Sequence, residues 1–395
     1  MKNRTVLVSG ASIAGPALTY WLGRYGFQPT IVEIAPALRT GGNAVDFRGP
    51  LHLGTLRKMG GVLDELKKVQ TFGTAMRFVD ERGDKLMEMP ADFAGGDIEV
   101  RRGDLSRILC EAAGDRTEYL FGDSVATMTE TPDGVDVTFV SGVRRMFDLV
   151  IGADGVHSMV RRVAFGPESQ FVKHLGYYVA GWDVPNDWGL SRDWRAYNTP
   201  GRMVSVSGDE RDPARAGAFV AFASPPLRYD RHDLPAQRRI IRERFGDLGW
   251  ETTRLLAGLD AAPDLYFDQI CRVDIRPWSK GRVALVGDAA CGATIGGMGN
   301  GTAIVAAYAL AGELAAAGGD HTIAFPRYER LVADFARGTQ KGGDTTGRFL
   351  APRTARGIKM RNTLLNQKWF MSLTFKIAND RSTNVELPEY GSLVG

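Results

Sequence analysis

The hydrophobic pattern switches several times between a short apolar run and a longer helical period. Residues 5–8 (TVLV) form a β-branched apolar run, which predicts a buried strand. Gly10 to Gly15 follow, then Pro16 and an apolar helix to about Tyr25, closed by Gly26. Residues 29–33 read as a second strand, so the chain opens as strand, turn, helix, turn, strand, the start of a parallel doubly wound sheet. The glycine-rich stretch 39–49 predicts irregular chain, with one helix over about 50–69. Residues 74–89 read as a hairpin, a helix begins at Arg102, and strands are expected near 124–129 and 135–140. A further buried strand, 148–152, ends in Asp154-Gly155.

Between about 171 and 275 the pattern becomes alternating, as in 177–182 and 217–222, with Pro- and Asp-rich turns between. This predicts a mostly antiparallel inserted sheet, with 236–246 its helix. Residues 282–287 return to buried strand, and an Ala-rich helix spans about 299–317. The fold class is therefore α/β: a Rossmann-like domain carrying an inserted antiparallel β-sheet domain and a C-terminal helix. Residues 353–381 are basic and interleaved with Trp369, Phe370 and Phe375. They read as a packed helix with a solvated charged face in preference to a membrane-surface helix.

Composition changes this picture in one respect. The chain has 395 residues, 44% hydrophobic and 24% charged, and its net charge of +3 is too small to make nucleic acid the main partner. Glycine is the outlier, at 48 residues with only 18 prolines and no short repeat. Cys110, Cys271 and Cys291 lack metal-ligand spacing, and so sparse a count fits a reducing compartment. The first apolar run is too short for a signal-peptide core and no stretch reaches a membrane span, so a cytoplasmic location with no metal is expected.

Much of the glycine lies at strand ends. Gly10-x-Ser12-x-x-Gly15 follows a strand and opens a helix, where glycines permit a tight turn and the helix N-terminus offers N–H groups to a pyrophosphate. Glu33 ends the next strand, 23 residues beyond Gly10, where a carboxylate can accept ribose hydroxyls. By itself the motif also fits an ordinary strand-turn-helix, and Glu33 an ordinary solvated strand-end acid. Asp154-Gly155 precedes Ser158 and Arg161 at a helix start, and Gly287-Asp288 ends another strand before a glycine-rich turn.

Taken in order, these motifs resemble the class A flavoprotein monooxygenases, the para-hydroxybenzoate hydroxylase family. The likeness is nearest to short single-subunit members such as tetracycline-inactivating and antibiotic-tailoring hydroxylases, and covers nearly the whole chain. The resemblance implies FAD, with Ser12, Ile13, Ala14 and Gly15 on the pyrophosphate, Glu33 on the adenosine ribose, and Arg102 on the pyrophosphate or ribityl chain. Val125 would lie in the strand contacting adenine, and Asp288 would bind ribityl hydroxyls. Gly297, Met298, Gly299 and Asn300 would present N–H groups to the flavin pyrimidine ring, and Asp154 would serve both FAD and passing NAD(P)H. Asp154 also reads as a simple turn-former, and Arg102 as a solvated helix-start arginine. Arg48 reads equally as an aid to flavin movement, the sole catalytic candidate, or as a surface arginine. Tyr178, Trp182 and Phe222 are candidates for the substrate cavity, although alternation alone does not fix which parity faces the flavin.

The resemblance further implies NAD(P)H-dependent reduction of FAD, addition of O2 at C4a, and transfer of one oxygen atom to an aromatic or polyketide-like substrate. Two departures stand out: Cys291 replaces the family's usual aromatic or His, and Thr294-Ile295 stand where a Pro is usual, in a loop one residue short. Cys291 has no evident base and reads as a buried filler more readily than as a nucleophile. The altered Cys291–Ile295 loop leaves open a same-fold FAD oxidase, dehydrogenase or other non-hydroxylating flavoenzyme, and a non-enzymatic FAD-binding protein is a remoter alternative. The expected division is an FAD domain over 1–72, 97–170 and 272–340, a substrate domain over 73–96 and 171–271, and a C-terminal segment 341–395, in a monomer or weak dimer.

Overall fold

In the computed structural model, residues 1–38, 42, 44–91, 96–209, 211–262, 265–295, 298–367 and 385–393 are described. Gly297, Trp369, Phe370 and Phe375 lie outside the described residues. The opening unit forms as its pattern requires: β1 (Thr5–Ser9), α1 (Ala14–Arg24) and β2 (Gln28–Glu33). β3 (Ala44–Phe47) precedes α2 (Gly49–Lys58) and α3 (Val62–Lys68). The single helix expected over 50–69 is thus two. Gly60 and Gly61 take φ of +44° and +84°, a left-handed turn that ends the first helix whatever the periodicity around it.

The expected hairpin is β4 (Ala75–Val79) and β5 (Lys85–Met89), followed by β6 (Ile98–Arg101) and α4 (Arg102–Ala113). Next come β7 (Glu118–Phe121), β8 (Val125–Thr131), β9 (Gly134–Phe139), β10 (Arg144–Phe147), β11 (Leu149–Gly152) and α5 (Met159–Phe165). The alternating region forms β12 (Val172–Pro185), β13 (Asp193–Thr199), β14 (Arg202–Gly208) and β15 (Arg215–Ala223). It continues through α6 (Leu234–Phe245), α7 (Thr252–Ala257) and β16 (Tyr266–Val273). The chain closes with β17 (Ser279–Lys280), β18 (Val283–Leu285), α8 (Asp288–Cys291), α9 (Gly299–Ala316), α10 (His321–Leu350) and α11 (Ala355–Leu365).

One sheet has the order β17-β18-β11-β1-β2-β7, parallel from β18 through β7. β18 pairs beside β11 only after the chain has passed through the inserted region, with Val150 opposite Val283. Its strands are apolar on both faces because helices cover both, the usual condition of a parallel sheet. The second large sheet has the order β16-β12-β15-β14-β13-β4-β5 and is antiparallel except between β13 and β4.

The two faces of this second sheet have different fates. One face carries Tyr178, Trp182, Val204, Val220 and Phe222 and packs on Phe245, Leu255 and Leu256 of α6 and α7. The other carries Tyr177, Val179, Met203 and Ala221 and packs with Leu350 and with Ile295 of the loop after α8. Tyr178 stacks on Phe222 at 5.6 Å between ring centres, and Trp182 Nε1 donates to the Leu255 carbonyl at 3.1 Å. Tyr178, Trp182 and Phe222 are therefore core residues beneath two helices, which corrects their reading as substrate contacts. A strand's period of two places them all on the face turned away from Ile295.

Candidate cofactor and active site

The turn after β1 is shaped by close approach. Gly10 has φ of +108°, and a Cβ there would stand 2.6 Å from the Ala153 carbonyl oxygen. A Cβ on Gly15 would stand 1.9 Å from the Gly10 oxygen, so neither position admits a side chain. The chain then enters α1 with Ile13 as its N-cap residue, no side-chain cap and no acid in the first turn. Its backbone N–H groups and positive dipole end are left for an anion.

Glu33 accepts from the backbone N–H of Ala11 at 2.8 Å and of Ala35 at 3.0 Å, which anchors its carboxylate against the same turn. The segment leading to Val125 is tied to this end of the sheet: Gly122 N donates to Ala35 O at 2.9 Å and Asp123 N to Glu33 O at 3.1 Å. Val125 itself is fully buried at the start of β8. Arg102, the first residue of α4, donates from Nε to Ser12 Oγ at 3.1 Å, and Ser106 Oγ donates to Ala11 O at 2.9 Å.

Across the cleft, Asp288 opens α8 and has no hydrogen-bond partner among the described residues. Burial raises its pKa, and the Arg102 guanidinium acts in the opposite direction. Its Oδ1 lies 3.2 Å from where a Gly299 Cβ would stand, so it faces the first turn of α9. Met298 is the N-cap residue of α9, and with Gly299 and Asn300 it forms a second helix start with no side-chain cap and no acid.

Asp154 is held by the start of α5. Its Oδ2 accepts from the N–H of Met159 at 2.8 Å and of Val160 at 3.1 Å, and it also accepts from Ser158 Oγ. It caps α5, as its turn-forming reading requires, and burial raises its pKa against these hydrogen bonds. Arg161 is fully buried and donates to the carbonyls of Ala289 (2.9 Å) and Val156 (2.5 Å), so the Asp154 turn and α8 are joined.

Arg48 is the N-cap residue of α2, and its Nε lies 2.5 Å from Asp46 Oδ2. With its side chain only 14% exposed it is not a solvated surface arginine. Cys291 is buried, donates its thiol to Gly287 O at 3.4 Å, and has its pKa pushed up by burial, as a filler rather than a nucleophile. Thr294 donates to Gln269 O at 2.9 Å and accepts from Cys271 N at 3.2 Å, which pins the unusual loop to β16.

The residues the motifs pick out thus converge from β1, β2, α4, α8 and α9 on one cleft. His52, a lone histidine on a short helix with no motif around it, gave no sequence signal and proves to lie against α9. An open groove of about 1110 Å³ lies on the second sheet and is lined by none of the motif residues. Two of the arginines lining it are already paired, Arg202 with Asp247 and Arg242 with Asp260, each at 2.5 Å. Among the described residues no group of His, Cys, Asp and Glu side chains is placed to hold a metal. No helix among them is long and apolar enough to cross a membrane.

Two uncapped helix starts, the anchored Glu33 and the partnerless Asp288 fit an extended dinucleotide carrying one pyrophosphate and several hydroxyls, and they define a dinucleotide-binding enzyme of the FAD type. Comparison with known proteins agrees. Residues 3–182 match the FAD binding domain family. A flavin-dependent monooxygenase of Legionella longbeachae is 39% identical over 348 residues, 87% of this chain and 88% of that protein. An uncharacterized protein of Mycobacterium tuberculosis is 42% identical over 344 residues, covering 85% and 92%. Among solved structures, the tetracycline destructase Tet(51) superposes with a TM-score of 0.86 at 34% identity, covering 98% of this chain and 100% of that one. The chain belongs to the class A flavoprotein monooxygenases and is an FAD-dependent monooxygenase. This decides against the oxidase, dehydrogenase and non-enzymatic readings that the altered loop had left open.

Proposed function

We propose that the protein uses NADH or NADPH and O2 to hydroxylate an aromatic or polyketide-like small molecule held between FAD and the second sheet. The observation that carries this reading is the sheet face against which Ile295 packs. Trp194 and Phe219 lie on it only half-buried, whereas Tyr178, Trp182 and Phe222 of the opposite face are sealed under helices. Two flat, partly exposed side chains on the same face as Ile295 suit a flat apolar substrate. The likeness to a tetracycline destructase supports a polycyclic phenolic substrate.

Bound FAD supplies the redox chemistry, accepting a hydride and delivering one oxygen atom. This chain's residues bind and orient it. The start of α1 and Arg102 take the pyrophosphate, Glu33 the ribose and Asp288 the ribityl hydroxyls, while Met298 to Asn300 place N–H donors at the pyrimidine ring. In this reading 1–72, 97–170 and 272–340 fold around the cofactor. Residues 73–96 and 171–271 present the substrate, consistent with β4 and β5 joining the sheet of β12 to β16.

The test is consumption of NADH and NADPH with tetracyclines and simpler phenols, with the products of reactions under ¹⁸O2 analysed by mass spectrometry. One labelled oxygen per substrate consumed is the expected result. Turnover without label would remove hydroxylation as the reaction.

A further inference from the structure

His52 is 1% exposed and lies near the start of α2. Its Nδ1 accepts the backbone N–H of Arg48 at 3.2 Å. A nitrogen that accepts carries no proton, so the neutral ring holds its proton on Nε2. Burial keeps the ring neutral, bringing its pKa down to about 4; Asp97 opposes this and Arg48 adds to it. Nε2 is buried and has no hydrogen-bond partner among the described residues.

Three elements besides α2 meet on this ring. Phe47 of β3 and Phe335 of α10 present their rings edge-on at 6.5 Å and 6.2 Å. The third is the first turn of α9. A Cβ on Gly301 would stand 2.2 Å from His52 Cε1 and 2.4 Å from each ring nitrogen, so the ring lies directly on the glycine backbone. One imidazole therefore touches the segment of Arg48 on one side and, on the other, Gly301 in the first turn of α9, directly after Met298 to Asn300.

We propose that His52 is a positioning residue for FAD, whose ring sets the register between the Arg48 segment and the N-terminus of α9. The proposal rests on the cofactor site described above. Two features are needed together: an acceptor at the Nδ1 position for the Arg48 N–H, and a flat group that seats on Gly301. Asn supplies the acceptor with less bulk. Leu supplies the bulk without the acceptor, so the Arg48 N–H loses its bond to the ring.

The experiment compares wild type, His52→Asn and His52→Leu by FAD dissociation constant, by visible circular dichroism of the bound flavin, and by apoprotein melting temperature. His52→Asn is expected to bind FAD within about threefold of wild type with the same dichroism, and His52→Leu about tenfold or more weaker with an altered band. If Leu matches wild type while Asn does not, the ring is a packing filler and the proposal is overturned. It is equally overturned if both variants match wild type. Should either variant fail to fold, Gly301→Ala serves instead, because it displaces the ring without removing it. It is expected to weaken FAD and change the dichroism, and wild-type behaviour there overturns the proposal. Absence of FAD binding by the wild type would mark failure of the cofactor site itself.

Discussion

Asp288 is a half-buried carboxylate with no side-chain donor among the described residues, while Glu33 accepts two backbone N–H groups. A hydrogen bond to a charged group contributes about 1.5–3 kcal/mol, which is roughly 10- to 100-fold in affinity. Asp288→Ala and Glu33→Ala are therefore each expected to weaken FAD binding by about that factor, read by flavin fluorescence on titration. Full retention of FAD in both would remove the assignment. Cys291→Ala is expected to keep turnover within about twofold, because a buried thiol with a raised pKa is a poor nucleophile; loss of turnover would give the thiol a chemical role. At this scale Gly10, Gly15 and Glu33 were legible because the turn chemistry is local. The role of Asp154 was not, since an acid at a strand end can serve a ligand or cap the next helix. The two N–H groups of Met159 and Val160 decide it only in the folded turn.

The elements add what the residues leave open. Phe219 and Phe222 lie three positions apart on β15 and face opposite ways, one toward the Ile295 loop and the other under α6. Phe222→Ala is expected to cost about 3–5 kcal/mol of stability by urea denaturation, as large-to-small changes in a core do. Phe219→Ala should instead raise substrate KM with a smaller stability loss, and the reverse pattern would exchange the two faces. His157, on the turn before α5, lies 3.0 Å from Glu168 and 3.2 Å from Asp268 of β16, and so joins the two sheets. Burial disfavours its charge, but hydrogen bonds to Asp268 and Glu168 outweigh this and raise its pKa to about 9. A raised histidine pKa stabilises fully below the unfolded value of about 6.5, and that contribution is lost as pH climbs through about 9. The stability difference between wild-type and His157→Gln apoprotein should therefore shrink between pH 6.5 and 9, by up to ~3 kcal/mol. A difference that stays flat across that window would sink the clasp. Strand and helix types were legible here from periodicity. The break at Gly60-Gly61 was missed because apolar spacing continues on either side of it.

Across the whole molecule, α10 links α9 to the second sheet. Thr339 meets Thr302 of α9 at 3.1 Å, Gln340 donates to Val273 O at 2.8 Å, and Gly347 packs against the Tyr177 ring. Asp344 pairs with Arg272 of β16 at 2.6 Å along the same helix. Asp344→Ala is expected to raise substrate KM severalfold while FAD affinity stays within about twofold, since among the described residues neither side chain of the pair hydrogen-bonds to α1 or α8. Equal losses in both would make the pair a general stabiliser. The sequence by itself determined the α/β class, the opening strand-helix-strand unit and the glycine motifs at strand ends, because turn glycines and periodicity act within a few residues. It also determined the family through the order of those motifs. Only the tertiary structure decided which face of the inserted sheet packs against the Ile295 loop, that Asp154 accepts from the start of a helix, and that His52 lies on Gly301. Each of these depends on contacts between segments far apart in the chain, which local chemistry permits in more than one arrangement.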